Sequence, residues 1–156
     1  MNYTVCVVED EKVSRKMTIE LLRKMEVTKI VASTNGEVAL QKLKMQKTDF
    51  IVSDWHMPVM DGLKFYKAVK KEKGFQNTPF LMVTVEDSKE RVVEVLKLGI
   101  RDYIVKPLSS KSFEGKVKSL LKIEFLYKRI DIFLVESKNY YIKPPSLHDW
   151  FLAYYQ

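Results

Sequence analysis

The chain has a single cysteine, Cys6, in 156 residues, so no internal disulfide can staple it. That cysteine sits inside an apolar run, where a lone thiol reads as an inert buried side chain in a reducing compartment. Nowhere does the sequence approach the roughly 18 uninterrupted apolar residues that a membrane span needs. The opening stretch, Met1 to Asp10, lacks the basic start and small-residue cleavage site of a secretory leader. These absences point to a soluble, cytoplasmic protein with no membrane partner. What is present agrees: 46% hydrophobic and 30% charged residues are a globular composition. The length suits one ordinary domain plus an appendage.

The formal charge is +7, and its distribution is uneven. Residues 1–122 hold 23 Lys and Arg against 16 Asp and Glu, whereas 123–156 hold four of each. An excess of this kind suits nucleic acid or an acidic partner. Here, however, the lysines recur at helical spacing (Lys64, Lys67, Lys70 and Lys71; Lys111, Lys118 and Lys122) without interleaved aromatics. That pattern reads as a solvated helix face, and nucleic acid is disfavoured as a partner.

Short apolar, β-branched runs alternate with amphipathic stretches along most of the chain. Tyr3 to Val8 reads as a strand that stops at Glu9-Asp10-Glu11, and Ser14 is the expected cap of a helix with Met17, Leu21, Leu22 and Met25 on its apolar stripe. Lys29 to Ala32 is a second strand, followed by the Asn35-Gly36 turn and a helix with Val38, Leu40, Leu43 and Met45 as its apolar positions. Phe50 to Ser53 is a third strand ending at Asp54, and Gly62 opens a helix with Leu63, Phe65, Tyr66 and Val69. Pro79 to Val83 is a fourth strand, a helix runs from Ser88 to a stop at Gly99, Tyr103 to Val105 is a fifth strand, and a last helix starts near Ser110. Five strand-then-helix units in succession predict an α/β, doubly wound parallel sheet with helices on both faces. The continuous apolarity of the strands fits strands buried on both sides.

In such folds the binding groups collect beyond the carboxyl ends of the strands. Glu9 and Asp10 follow the first strand, Asp54 the third, Glu86 and Asp87 the fourth, and Lys106 the fifth. Carboxylates held about 4 Å apart repel by about 1 kcal/mol per pair in water and about 4 at an effective dielectric near 20. Glu9, Asp10 and Asp54 together therefore need a cation or raised pKa values, and hard oxygen ligands with room for water and phosphate suit Mg²⁺. Lys106 supplies a point charge for a phosphoryl oxygen, and Thr84 a hydroxyl donor. A carboxylate nucleophile, a divalent cation, an ammonium and a hydroxyl make an inventory for phosphoryl transfer.

Four segments carry a resemblance: VVEDE (7–11), FIVSDWHMPVMDGL (50–63), MVTVED (82–87) and DYIVKPL (102–108). In this order and spacing, over about residues 1–122, the chain resembles the receiver domains of bacterial two-component response regulators, the CheY-like family. The resemblance implies a flavodoxin-like sheet in the order 2-1-3-4-5 and a signalling module that catalyses only its own phosphorylation and dephosphorylation. Asp54 would accept the phosphoryl group from a histidine kinase or phosphotransfer protein, with Mg²⁺ held by Asp10, Asp54 and the backbone carbonyl of His56. Glu9 would act through a metal-bound water. Lys106 would pair with the phosphoryl group, Thr84 would turn inward to hydrogen-bond it, and Tyr103 would be the aromatic that moves with Thr84. The Lys106-Pro107 bond would be cis. His56 and Glu86 would tune the lifetime of the acyl phosphate. Val85 departs from the family, which has a smaller residue after the threonine, and is expected to restrict access to the phosphoryl group. The surface read by a downstream protein target would be the helix from Ser88, the Tyr103 strand and the last helix.

Residues 123–156 form a separate C-terminal extension holding nine of the 18 aromatics, too many for a solvated linker. One reading continues the last helix, with Leu120, Ile123, Tyr127, Ile130 and Leu134 as a heptad-like seam joining two chains as a homodimer. Another makes Ile130–Val135 and Tyr140–Lys143 a hairpin, with Ser146 capping a short final helix. Packing onto the receiver is the third. The alternatives to a phosphorelay response regulator are a DNA-binding transcriptional regulator, a dimerising scaffold and a phosphohydrolase of the haloacid-dehalogenase kind. The last needs a second acid two residues after the nucleophile, where this chain has Asp54-Trp55-His56.

Overall fold

The computed structural model describes residues 3–85, 88, 93 and 95–121. Strands β1 (Thr4–Val8), β2 (Lys29–Ser33), β3 (Phe50–Asp54), β4 (Phe80–Thr84) and β5 (Tyr103–Val105) form one parallel sheet in the order β2-β1-β3-β4-β5. Helices α1 (Lys12–Lys24), α2 (Gly36–Met45) and α3 (Gly62–Lys71) connect the first four strands, and residues 110–121 form the last described helix. The doubly wound α/β fold and its strand order are as expected. The chain divides after Lys122. The seam, hairpin and final helix expected beyond that point lie outside the described residues. Leu120, the first position of the expected seam, is buried in the core of the sheet domain.

Side-chain alternation along each strand divides the core into two layers. Val5, Val7, Val52, Leu81 and Val83 face α1 and the last helix, meeting Leu21, Leu22, Phe113, Val117 and Leu121. Cys6, Val8, Ile51, Phe80 and Met82 face the other way, toward Ala39 and Leu43 of α2 and Phe65, Tyr66 and Val69 of α3. β3 and β4 are buried at every position, as central strands covered on both faces must be. Burial pushes the Cys6 thiol up to about 12, which keeps it protonated and inert.

Several local expectations are corrected. The cap of α1 is Glu11, whose carboxylate accepts the N–H groups of Val13 and Ser14; Ser14 lies inside the helix. Those two N–H groups hold the Glu11 carboxyl below the usual carboxylate range. Met25 is past the end of α1, at its C-cap, and Met17 and Met45 point to solvent instead of joining the core. Their helices bury Thr18, Leu21 and Leu22 and Gly36, Ala39 and Leu43 respectively. Among the described residues of the helix expected from Ser88, Val95 is in the core and Val93 and Leu96 are exposed.

The turn after β3 is tightly constrained. Val59 takes φ 66°, uncommon for a β-branched residue, and Met60 N–H bonds back to Pro58 O at 2.8 Å, closing a three-residue turn. Asp61 then caps α3 through Lys64 N–H. Gly62 packs so closely that an added Cβ would lie 2.2 Å from the carbonyl oxygen of Asp54. Gly115, in the last described helix, has open space around it.

Gly62→Ala is expected to destabilise the protein by about 3 kcal/mol, because the clash is with backbone that cannot rotate away. Gly115→Ala is expected to stabilise it by about 0.5–1 kcal/mol through helix propensity alone. Urea unfolding midpoints at constant m-value check both; similar midpoints for the two variants would contradict this account of the turn.

Candidate phosphoryl-acceptor site

Parallel strands bring their carboxyl ends to one edge of the sheet, and the register decides which residues meet there. Val8 pairs with Ser53, so Glu9 and Asp54, one residue further on each strand, emerge side by side. Asp54 pairs with Val83, and Thr84 pairs with Val105, the residue before Lys106. Lys106 N–H bonds Thr84 O at 2.6 Å, fixing where the lysine stem leaves the sheet. The Lys106-Pro107 peptide is cis.

Lys106 Nζ lies 2.8 Å from Glu9 Oε2 and 3.0 Å from Asp54 Oδ2, linking the ends of β1, β3 and β5. Glu9 and Asp54 are buried and Asp10 is exposed, yet a carboxylate oxygen from each lies within 4.8 Å of the others. Burial of the Lys106 ammonium works to lower its pKa, but the hydrogen bonds and charges of Glu9 and Asp54 outweigh it and hold the value above the ordinary lysine range. Asp54 Oδ1 accepts Trp55 N–H at 2.7 Å. Glu9 Oε2 also accepts the Ser14 hydroxyl at 2.9 Å, and Glu9 Oε1 accepts Glu11 N–H at 3.3 Å.

Three carboxylates against one ammonium leave two negative charges uncompensated, the complement of a divalent cation. All the donors are hard oxygens, and the exposure of Asp10 leaves the cluster open to water, which suits the partly hydrated coordination Mg²⁺ retains. The residues fit the ion.

The other residues singled out in the sequence fall as follows. Thr84 is buried at the end of β4, and Tyr103 is half-buried at the start of β5. His56 is exposed, its ring stacked on Trp55 with centroids 5.4 Å apart. Val85 is 65% exposed, directly after Thr84. Glu86 lies outside the described residues. Two neighbours of the cluster are not marked by the sequence pattern: Ser14, expected as a cap, and Arg15, whose Nη1 donates to the carbonyl oxygens of Glu9 at 2.7 Å and Asp10 at 3.0 Å. Their signal was position, one helical turn into α1 on the side facing the acids.

The sequence model described as response regulator receiver domain matches residues 5–118. The chemotaxis protein CheY of Pseudomonas aeruginosa is 30% identical over 118 residues, spanning 76% of this chain and 95% of the relative. CheY-3 of Vibrio cholerae is 30% identical over 121 residues, spanning 78% and 93%. Among solved structures, CheY4 of Vibrio cholerae superposes with a TM-score of 0.71 at 30% identity, covering 77% of this chain and 99% of that one. The receiver domain of a Pseudomonas aeruginosa sensor histidine kinase, solved with a magnesium ion in its active-site cleft, superposes with a TM-score of 0.71 at 20% identity, covering 78% and 99%. At that identity the likeness speaks for the fold.

Lys106→Met is expected to cost about 2 kcal/mol at neutral pH, the worth of charge-assisted hydrogen bonds to two buried carboxylates left facing each other. Because the folded-state pKa of Lys106 is raised above 10.5, this contribution is complete below about pH 10.5 and is lost as pH rises through the raised value. Urea unfolding of the wild type and the variant at pH 7 checks it; equal stabilities would show that the bridge contributes nothing.

Proposed function

The chain belongs to the response regulator receiver family of two-component signalling, and on that premise we propose that Asp54 accepts a phosphoryl group from a phosphohistidine. The donor is a histidine kinase or a phosphotransfer protein, and the product is an acyl phosphate that changes which downstream protein the domain engages. The observation that carries this reading is the Lys106 bridge, which sets an ammonium 3.0 Å from one oxygen of a buried aspartate whose other oxygen is fixed by Trp55 N–H. A carboxylate so held has few orientations left to lose before attack, and positioning supplies most of the catalysis in phosphoryl transfer.

In the proposed step an Asp54 carboxylate oxygen attacks phosphorus as the phosphorus–nitrogen bond to the donor imidazole breaks, and the imidazole keeps the bonding electron pair and takes up a proton. Lys106 neutralises charge on the transferred group, and Thr84 at the neighbouring strand end offers its hydroxyl to a phosphoryl oxygen. Asp10, Asp54 and the His56 backbone carbonyl would hold Mg²⁺, which would supply positive charge to the phosphoryl oxygens. Both carboxylate oxygens of Glu9 already accept hydrogen bonds, which supports a role through a metal-bound water. Tyr103 moves inward with Thr84 as the switch. The protein processes only its own phosphoryl group and no external substrate, and hydrolysis of the acyl phosphate is tuned by His56 and Glu86.

Incubation with a small acyl phosphate and Mg²⁺ is expected to add one phosphoryl group per chain, measured by intact mass, and Asp54→Asn is expected to add none. Equal incorporation in the variant, or none in the wild type under a competent donor, would overturn the assignment. Val85 stands where the family has a smaller side chain, and its position directly after Thr84 supports a role in screening the site from attacking water. Val85→Ala is therefore expected to shorten the phosphoryl half-life several-fold, followed by mass after the donor is removed; an unchanged half-life would rule out the screening role.

A further inference from the structure

One side chain beside the acid cluster has no part in the chemistry just described. Arg15, half-buried in the first turn of α1, bonds two consecutive main-chain carbonyls, those of Glu9 and Asp10, through a single nitrogen. The same segment is fixed on its other side, where Glu9 N–H bonds Ser33 O on β2 at 3.1 Å. The peptide planes on both sides of Glu9 and the one after Asp10 are thus tied to β2 and α1. Glu9 has Lys106 and Ser14 to orient its carboxylate. Asp10 is the exposed member of the cluster, so the direction of its side chain is set by its backbone and not by packing.

We propose that Arg15 is a positioning residue for the divalent-cation site, acting by locking the Glu9–Asp10 backbone so that the Asp10 carboxylate is aimed at Asp54. The inference rests on the cation-binding reading of Glu9, Asp10 and Asp54 given above. Two effects of Arg15 on cation affinity have opposite signs, and their sizes decide between them. As a charge, the guanidinium repels a second cation; at a cluster open to water through exposed Asp10, solvent and salt screen this to about a few-fold in affinity. As a clamp it acts like the groups that orient metal ligands elsewhere, whose loss weakens binding by about 10–100-fold. The clamp prevails, and removing Arg15 loosens the site although it removes a like charge.

The test titrates Mg²⁺ into the full chain and follows two signals: tryptophan fluorescence, to which Trp55 beside Asp54 contributes, and the rise in Tm that bound ion produces by mass action. Arg15→Met is expected to raise the Mg²⁺ Kd about ten-fold in both signals. Arg15→Lys keeps a donor and the charge, and is expected to stay within about three-fold of the wild type. A purely structural role would lower the ion-free Tm of Arg15→Met and leave its Kd unchanged. An Arg15→Met Kd equal to or tighter than the wild type overturns the proposal whatever the Tm. Should Arg15→Met fail to fold, Arg15→Gln, which keeps one amide donor but no charge, takes its place with the same criterion. A wild type with no Mg²⁺ response in either signal would bring down the cation-site reading itself, a separate result from a Kd that Arg15 does not move.

Discussion

Everything at the working end of this sheet depends on one ammonium group held between two buried carboxylates. Lys106 meets Glu9 and Asp54 at hydrogen-bond distance, and the three residues follow or end three different strands. Neighbouring strands lie about 4.8 Å apart, so β5 stands about 10 Å from β3 and about 14 Å from β1. A short side chain on β5 would not cross β4 to reach them. Lysine, with four methylenes and a compact charge, does, its backbone tied to Thr84 O while its head serves the far side of the site. The same reach explains why Glu9 and not Asp10 takes the bridge: Glu9 is buried beside Asp54, whereas Asp10 opens to solvent.

A buried ion pair of this kind is a poor way to stabilise a fold, since the desolvation of each charge offsets much of the attraction. Here one cation serves two anions and a third carboxylate adds to the excess, so the ion-free site is electrostatically incomplete by construction. The packing beneath it tolerates this because β1, β3 and β4 are buried throughout most of their length and both core layers are closed by helices. Stability is stored in the apolar body of the sheet, and a charge imbalance is placed at its edge, where water and a cation can reach it.

Most of this arrangement is legible from the amino-acid string. Alternation of strand and helix patterns predicts the parallel sheet, and the rule that binding groups gather past strand ends picks out Glu9, Asp10, Asp54 and Lys106 before any coordinates are known. What escapes is whatever depends on three-dimensional competition for a group. Ser14 is the better N-cap by intrinsic preference, but its hydroxyl is taken by Glu9, and the longer Glu11 caps the helix instead. Met17 and Met45 fit the apolar period and still face solvent, because thirteen- and ten-residue helices on a sheet bury only one narrow stripe. Gly62 reads as an ordinary helix start; that its missing Cβ makes room for the carbonyl of Asp54 is visible only once the turn is closed.

The bridge from Lys106 to Glu9, just past β1, has a consequence for switching under the proposed function. An acyl phosphate carries nearly two negative charges where Asp54 carried one, and it biases a two-state surface only by the difference in its contacts with the two states. Reversing a 1:99 population to 99:1 takes about 5.5 kcal/mol. Lys106 already bonds Glu9 and Asp54 before any phosphoryl group arrives, so moving it toward the new charge exchanges those contacts for others and yields only the difference. The remainder has to come from other contacts of the phosphoryl group. A pre-formed bridge to Glu9 therefore limits what the lysine alone contributes to the change.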